Sequence, residues 1–228
     1  MSIGIIGAME TEIRALAAKI TDGEETRVAG MTFYTGLLYG KPVVVARSGV
    51  GKVHAAMCAQ AMIERFAPDM ILNIGVAGAL DEGLQIGNIV VASSAVQHDV
   101  DTSPLGDPPG MISGPDIVYF PCEKRAADAL NRAAESVGVK SLNAAIVTGD
   151  QFIAELSQKR ALAERFHAAA CDMEGGAIAQ VAFEYGVPYA AYRAISDTLL
   201  GNGKEYTENL SLAAEKSAAL LKAYLTES

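Results

Sequence analysis

Short apolar runs recur along this chain between longer alanine-rich stretches, and that alternation constrains the fold more than any other feature. The runs are IGIIG at 3–7, VVVA at 43–46, MILNIG at 70–75, IVVA at 89–92 and YAAY at 189–192. Runs this short and this uniformly apolar read as strands covered on both faces. The stretches between them repeat their apolar residues at helical spacing. Residues 10–20 place Ile13, Leu16, Ala17 and Ile20 on one side, and 122–137 do so with Ala126, Ala129, Leu130, Ala133 and Val137. Further helices are expected over 52–67, 157–166, 175–185 and 208–225, the last with Leu210, Ala214, Ser217, Leu221 and Tyr224 along one side. A hairpin at 32–49 turns through Gly40-Lys41-Pro42, and strands are expected within 86–100, 142–147 and 188–195. Strands alternating with helices predict an α/β fold: a central mixed, twisted sheet flanked by helices on both faces. No linker, charge block or repeat divides the chain, so residues 1–228 are expected to form one domain. The segment 101–116 stands apart. Its four prolines and three glycines exclude a helix or a central strand and mark a lid or a contact surface.

Several function classes drop out early. A net charge of -9 leaves no basic stripe for a nucleic-acid backbone. Cys58, Cys122 and Cys171 lack metal-ligand spacing and form no disulfide framework, which fits a reducing, cytoplasmic interior. The N-terminus carries no basic leader pattern, and no apolar run reaches membrane-spanning length. His54, His98 and His167 are scattered, so no metal site is expected. The dinucleotide fingerprint, the phosphate-loop motif and the G-x-S-x-G elbow are all absent, and GVGK at 49–52 is too short to be a phosphate loop.

Polar residues at strand ends are the remaining chemistry. They are Asp150 with Gln151, Asp172 with Glu174, and Ser196 with Asp197. Carboxylates converging at strand ends suit acid–base chemistry and the binding of sugar hydroxyls, while helix caps and ion pairs are the structural alternative. Arg193 lies inside the apolar VPYAAYRAIS, so a carboxylate partner is expected for it on either view. The small residues of NIGVAGAL at 73–80 allow a ligand or a neighbouring backbone to come close. Gly4 and Gly7 read as a glycine-rich turn after the first strand. Glu12, judged alone, reads as a solvated carboxylate on a helix face.

Six motifs in order change the weight of these residues. They are IGIIGAMETEI at 3–13, SGVGKVHAA at 48–56, NIGVAGAL at 73–80, GDQFI at 149–153, DMEGGAIA at 172–179 and RAISD at 193–197. Through them the chain resembles the bacterial 5'-methylthioadenosine/S-adenosylhomocysteine nucleosidases of the nucleoside phosphorylase superfamily, over nearly its whole length. The resemblance implies a cofactor-free homodimeric hydrolase of methionine salvage whose partner is a small nucleoside. It implies that Glu12 activates water, Asp197 acts on the departing purine with Ser196 positioning it, and Glu174 binds the ribose hydroxyls beside Met173. It puts Phe152 and Ile153 at adenine, and Arg193 at the water network near Glu12. Val76, Ala77 and Gly78 fall in the small-residue run, Val76 standing where serine is frequent. Met9, Val50 and Tyr206 fall at the ribose or alkylthio end. Thr102 and Leu105 would close that end from a partner subunit. The arginines expected of phosphate-using relatives are missing, leaving Arg47 alone, so hydrolysis is favoured over phosphorolysis. Aminodeoxyfutalosine is an alternative substrate, and a nucleoside-binding protein without catalysis is an alternative class.

Overall fold

The structure, a computed structural model, describes residues 1–227. Its centre is β1 (Ile3–Gly7), parallel to β4 (Lys41–Arg47) on one side and to β5 (Met70–Asn73) on the other. Side chains alternate across these strands. Ile3, Ile5, Val43, Val45, Met70 and Leu72 enter one core, which also takes residues of α1 (Glu10–Ala17), α3 (Lys124–Ser136) and α6 (Gly203–Glu227). Ile6, Val44, Ala46 and Ile71 enter the other, beneath α2 (Lys52–Phe66) and α5 (Gly175–Glu184). Both faces of the sheet are therefore covered, as the unbroken apolar runs require. Gly4 serves this packing rather than a turn: a Cβ there would sit 2.5 Å from Met62 Sδ and 2.8 Å from Ile71 Cδ1.

The other strands are β2 (Thr21–Val28), β3 (Met31–Leu38), β6 (Val76–Ala79), β7 (Ile89–Gln97), β8 (Phe120–Pro121), β9 (Ser141–Thr148), β10 (Ala168–Asp172) and β11 (Tyr189–Asp197). Among the described residues, the 11 strands run in the order β2-β3-β4-β1-β5-β11-β6-β10-β9-β7-β8. β11 lies at the crossing point. Its first residues pair in parallel with β5, its last residues pair in parallel with β6, and between them it pairs antiparallel with β7. Because β6, β10, β9 and β7 also pair in succession, this half of the sheet closes on itself. The end of β11 is thereby carried into the mouth of a small barrel, and α4 (Leu156–Phe166) packs against β10 and β9 beside it.

Several local expectations are corrected. The first helix stops at Ala17, and residues 21–28 form the edge strand β2. TDGEETRV is nearly all exposed and joins the sheet through its backbone pairing with β3, so no apolar alternation announces it. Residues 76–79, which the sequence marks only as small residues allowing close approach, form a strand of their own. The buried side of α3 is Ala126, Ala127, Leu130, Ala133 and Ala134; Ala129 is half-buried, and Val137 is the exposed C-cap. The last helix starts at Gly203, ahead of residue 208, and buries Ala213, Leu220 and Leu225 in place of Leu210 and Ala214. Residues 101–116 hold only a short 3-10 turn at Ser103–Leu105 and one bridge between Ile112 and Ile117.

Candidate active site

The residues just past β1, β5, β9 and β10, the end of β11 and the strand β6 surround one cavity of about 640 Å³, its open mouth included. Ligand sites at the carboxyl ends of strands are the rule in open α/β sheets. Met9, Glu12, Val50, Val76, Ala77, Gly78, Phe152, Ile153, Met173, Glu174, Arg193, Ser196, Asp197 and Tyr206 all line it. Thr102 and Leu105 do not. Thr102 Oγ1 donates to Asp107 at 2.7 Å, and Leu105 is 83% exposed at the 3-10 turn.

Glu12 is not the solvated helix-face carboxylate that its local sequence indicates. It is buried, and its Oε2 accepts the Met9 N–H at 2.9 Å, closing the first turn of α1 from inside the cavity. Burial pushes its carboxyl up from the ordinary value, opposed by the hydrogen bond from Met9 and by the charge of Arg193. Gly75 has φ +154°, and a Cβ on it would stand 3.0 Å from Glu12 Oε1, so any other residue would strain the backbone and press on Glu12.

Arg193 finds its expected partner in Asp172. Nε and Nη2 donate to Asp172 Oδ2 at 2.9 and 2.5 Å, Nη1 to the carbonyls of Asn73 and Tyr192 at 3.1 and 2.9 Å, and Nη2 also to Asn73 Oδ1. All five guanidinium N–H groups are thus engaged. Asp172 Oδ1 accepts from Thr148 Oγ1 at 2.5 Å, and the Gly175 N–H also points at this carboxylate. Asp172 is accordingly the ion-pair member of the 172–174 pair, and Glu174 is the one free to meet a ligand. Glu174 Oε1 accepts the Gly51 N–H at 2.9 Å.

Burial first, then the charge of Asp172, raise Glu174 from 4.5 to about 7. A carboxyl raised in the folded state favours folding less as pH climbs from 4.5 to about 7, because the unfolded chain gives up the proton earlier. Glu174→Gln is therefore expected to stabilise the unliganded protein by about 1–3 kcal/mol above neutrality. Below about pH 4.5 the gain should vanish, since both side chains are then neutral. Thermal melts at the two ends of this range check it; equal shifts at both would refute the assignment.

Asp197 does not cap a helix. Its Oδ1 accepts from Ser196 Oγ at 3.0 Å, and its Oδ2 accepts from Lys159 Nζ at 2.7 Å. Phe152, 48% exposed, meets Tyr206 edge to face at 5.3 Å between ring centres, and the pair walls the mouth. Cys171 lines the floor, but burial pushes its thiol up to about 12, which removes it as a nucleophile. Asp150 falls outside the cavity and accepts the Lys52 N–H at the start of α2, whereas Gln151 lines the cavity. Arg47 also lies outside, 3.2 Å from Glu10 and over half exposed. Among the described residues, no group of three or more His, Cys, Asp or Glu side chains is placed to hold a metal ion, and no helix is long and apolar enough to cross a membrane.

The family model for the phosphorylase superfamily matches residues 2–226. The chain belongs to that superfamily. Within it, the chain is 38% identical over 229 residues to a 5'-methylthioadenosine/S-adenosylhomocysteine nucleosidase of Shewanella halifaxensis, covering 100% of both sequences. A futalosine hydrolase of Helicobacter pylori superposes with TM-score 0.94 at 33% identity, over 100% of this chain and 98% of the other. A mutant Helicobacter pylori nucleosidase with 5'-methylthioadenosine in the active site superposes with TM-score 0.93 at 33% identity, over 100% and 99%. Like these superfamily members, the chain is an α/β protein with a central mixed sheet between helices.

Asn73, Thr148 and Lys159 are the site residues that sequence reasoning missed. Asn73 and Thr148 sit at the ends of β5 and β9, where strand-end position was the available signal. Lys159 offers none: in LSQKRALAERF it stands beside an arginine on what reads as a solvated helix face.

Proposed function

We propose that this chain hydrolyses the N-glycosidic bond of 5'-methylthioadenosine and S-adenosylhomocysteine, and of 5'-deoxyadenosine, releasing adenine and the 5'-substituted ribose. The observation that carries it is the convergence of Glu12, Glu174 and Asp197 on one cavity whose sole basic residue, Arg193, has every donor engaged. As the bond to adenine breaks, the anomeric carbon becomes cationic and the purine gains electrons. Asp197 supplies a proton to N7, Glu12 takes one from the attacking water, and Glu174 accepts hydrogen bonds from the 2' and 3' hydroxyls. Ser196 orients Asp197, Phe152 stacks on the base, and the backbone of Ile153 reads its Watson–Crick edge. Met173 packs on the sugar, and Val76, Ala77 and Gly78 let the nucleoside sit close to the sheet. Met9, Val50 and Tyr206 receive the 5' substituent. Arg193, with every donor engaged, reaches the water network near Glu12 through its charge alone while it holds Asp172.

Water is favoured over phosphate on electrostatic grounds, because an anion would enter beside carboxylates with no free cation to receive it. Incubation with methylthioadenosine, with and without phosphate, is the test. Free methylthioribose and adenine at a phosphate-independent rate are expected; a sugar 1-phosphate formed only with phosphate would overturn hydrolysis. Adenosylhomocysteine and aminodeoxyfutalosine belong in parallel, since the likeness to a futalosine hydrolase makes the second a real competitor. A homodimer in the cytoplasm completes the proposal. Val53, Met57 and Leu105 leave apolar surface exposed for a second copy, Thr102 and Leu105 would approach its cavity, and the three cysteines are free thiols. Sedimentation at the mass of two chains is expected, and a monomer would refute the shared pocket.

A further inference from the structure

Lys159 is the one fully buried lysine among the described residues. An ammonium group held away from water is costly unless its charge and all its donors are matched. Here all three donors are matched, and the charge is matched whenever Asp197 is ionised. Nζ lies 2.7 Å from Asp197 Oδ2, 2.8 Å from the Thr198 carbonyl and 3.2 Å from the Gly201 carbonyl. Lys159 does not line the cavity, whereas Asp197 does, so the lysine reaches the carboxylate from behind. Lys159 anchors Oδ2, while Ser196 Oγ shares its single proton between Oδ1 at 3.0 Å and the Ala77 carbonyl at 3.1 Å. The two carbonyls it binds belong to the loop that leaves β11 and leads into α6, the helix that carries Tyr206 to the cavity mouth.

We infer that Lys159 is a positioning residue for purine departure, holding Asp197 in place and stabilising the carboxylate it becomes as its proton passes to the base. This rests on the hydrolytic function proposed above. In that step the C1'–N9 electron pair moves onto the purine, the Asp197 proton forms the N7–H bond, and Lys159 keeps its three protons. The negative charge left on Asp197 then faces a fixed positive charge at hydrogen-bond distance. The interaction is therefore stronger after proton transfer than before it, which is the condition for lowering a barrier rather than only tightening binding. A lysine serving only as a strut would show no such preference.

The discriminating experiment compares leaving groups. Lys159→Met keeps the stem and removes the charge; Lys159→Gln keeps a donor. Each is assayed on methylthioadenosine and on the methylthioribosyl ether of 4-nitrophenol, whose anion departs without needing a proton. On methylthioadenosine, kcat of Lys159→Met should fall about 10²-fold with KM little changed. On the nitrophenyl substrate, kcat should stay within about threefold of the unaltered protein. Asp197→Asn should show the same split, and Lys159→Gln an intermediate one. Equal losses on both substrates, or no loss on either, would overturn the role of Lys159. Should both variants fail to fold, the unaltered protein still decides: the slowly exchanging Lys159 ammonium signal in a proton–nitrogen spectrum should shift when adenine binds, and an unmoved signal would overturn it. Unaltered protein that turns over neither substrate sinks the hydrolytic proposal itself, an outcome distinct from all of these.

Discussion

Glu12→Gln is expected to lower kcat by about 10²–10⁴-fold, the range for loss of a general base, while leaving nucleoside binding in place. The amide can still accept the Met9 N–H that Oε2 now accepts at 2.9 Å, so the first turn of α1 keeps its closure. It also removes a carboxylate that burial disfavours, so the variant should be no less stable than the parent. The pH profile carries the sharper signature. Glu12 must be ionised to take a proton from water, so the rate falls as pH drops through its raised pKa. That acid limb should therefore lie closer to neutrality than an ordinary carboxylate would place it. Because the step needs a proton donor as well as a base, the parent profile is a bell. In Glu12→Gln the acid limb should flatten. Steady-state kinetics across the pH range test both points, and an unchanged limb in the variant would remove Glu12 from the role of base.

The largest expected loss of stability comes from Arg193→Met, about 3–5 kcal/mol, because it strands the buried Asp172 without its counter-charge. Five donated hydrogen bonds disappear with the guanidinium, and the Asn73 carbonyl and side chain lose partners as well. Asp172→Asn alone should also cost heavily, since it leaves the arginine charged and unpaired. The double variant should lose clearly less than the sum of the two, because neither stranded charge then remains. Urea unfolding of the four proteins measures the coupling directly. Additive losses would mean that the pair acts through packing and not through charge. Activity should fall too: the charge of Arg193 opposes the upward push on Glu174, so its removal leaves that carboxyl more protonated.

How much of this was legible depends on how local each property is. The order of strands and helices follows from apolar period and from glycine and proline punctuation, and it survives folding except at β2, β6, β8 and some helix ends. β2 was invisible because an edge strand joined by its backbone needs no apolar side chains. The residues that line the cavity, Cys171 and Tyr206 apart, were legible through six motifs read together. Arg193 needed a carboxylate on physical grounds alone, since a charge cannot remain unpaired inside an apolar strand.

Choosing among partners was beyond the sequence. Asp172 rather than Glu174 takes Arg193, Glu12 turns inward rather than to solvent, and Lys159 crosses from α4 to Asp197. The partners in these contacts are brought together by the crossing of β11 between the two halves of the sheet. Gly51 and Glu174, 123 residues apart, meet in the same way. A residue pattern reports what its own neighbours along the chain require. Burial, and with it the protonation state and the choice of ion pair, is decided by groups that only the closed sheet makes adjacent.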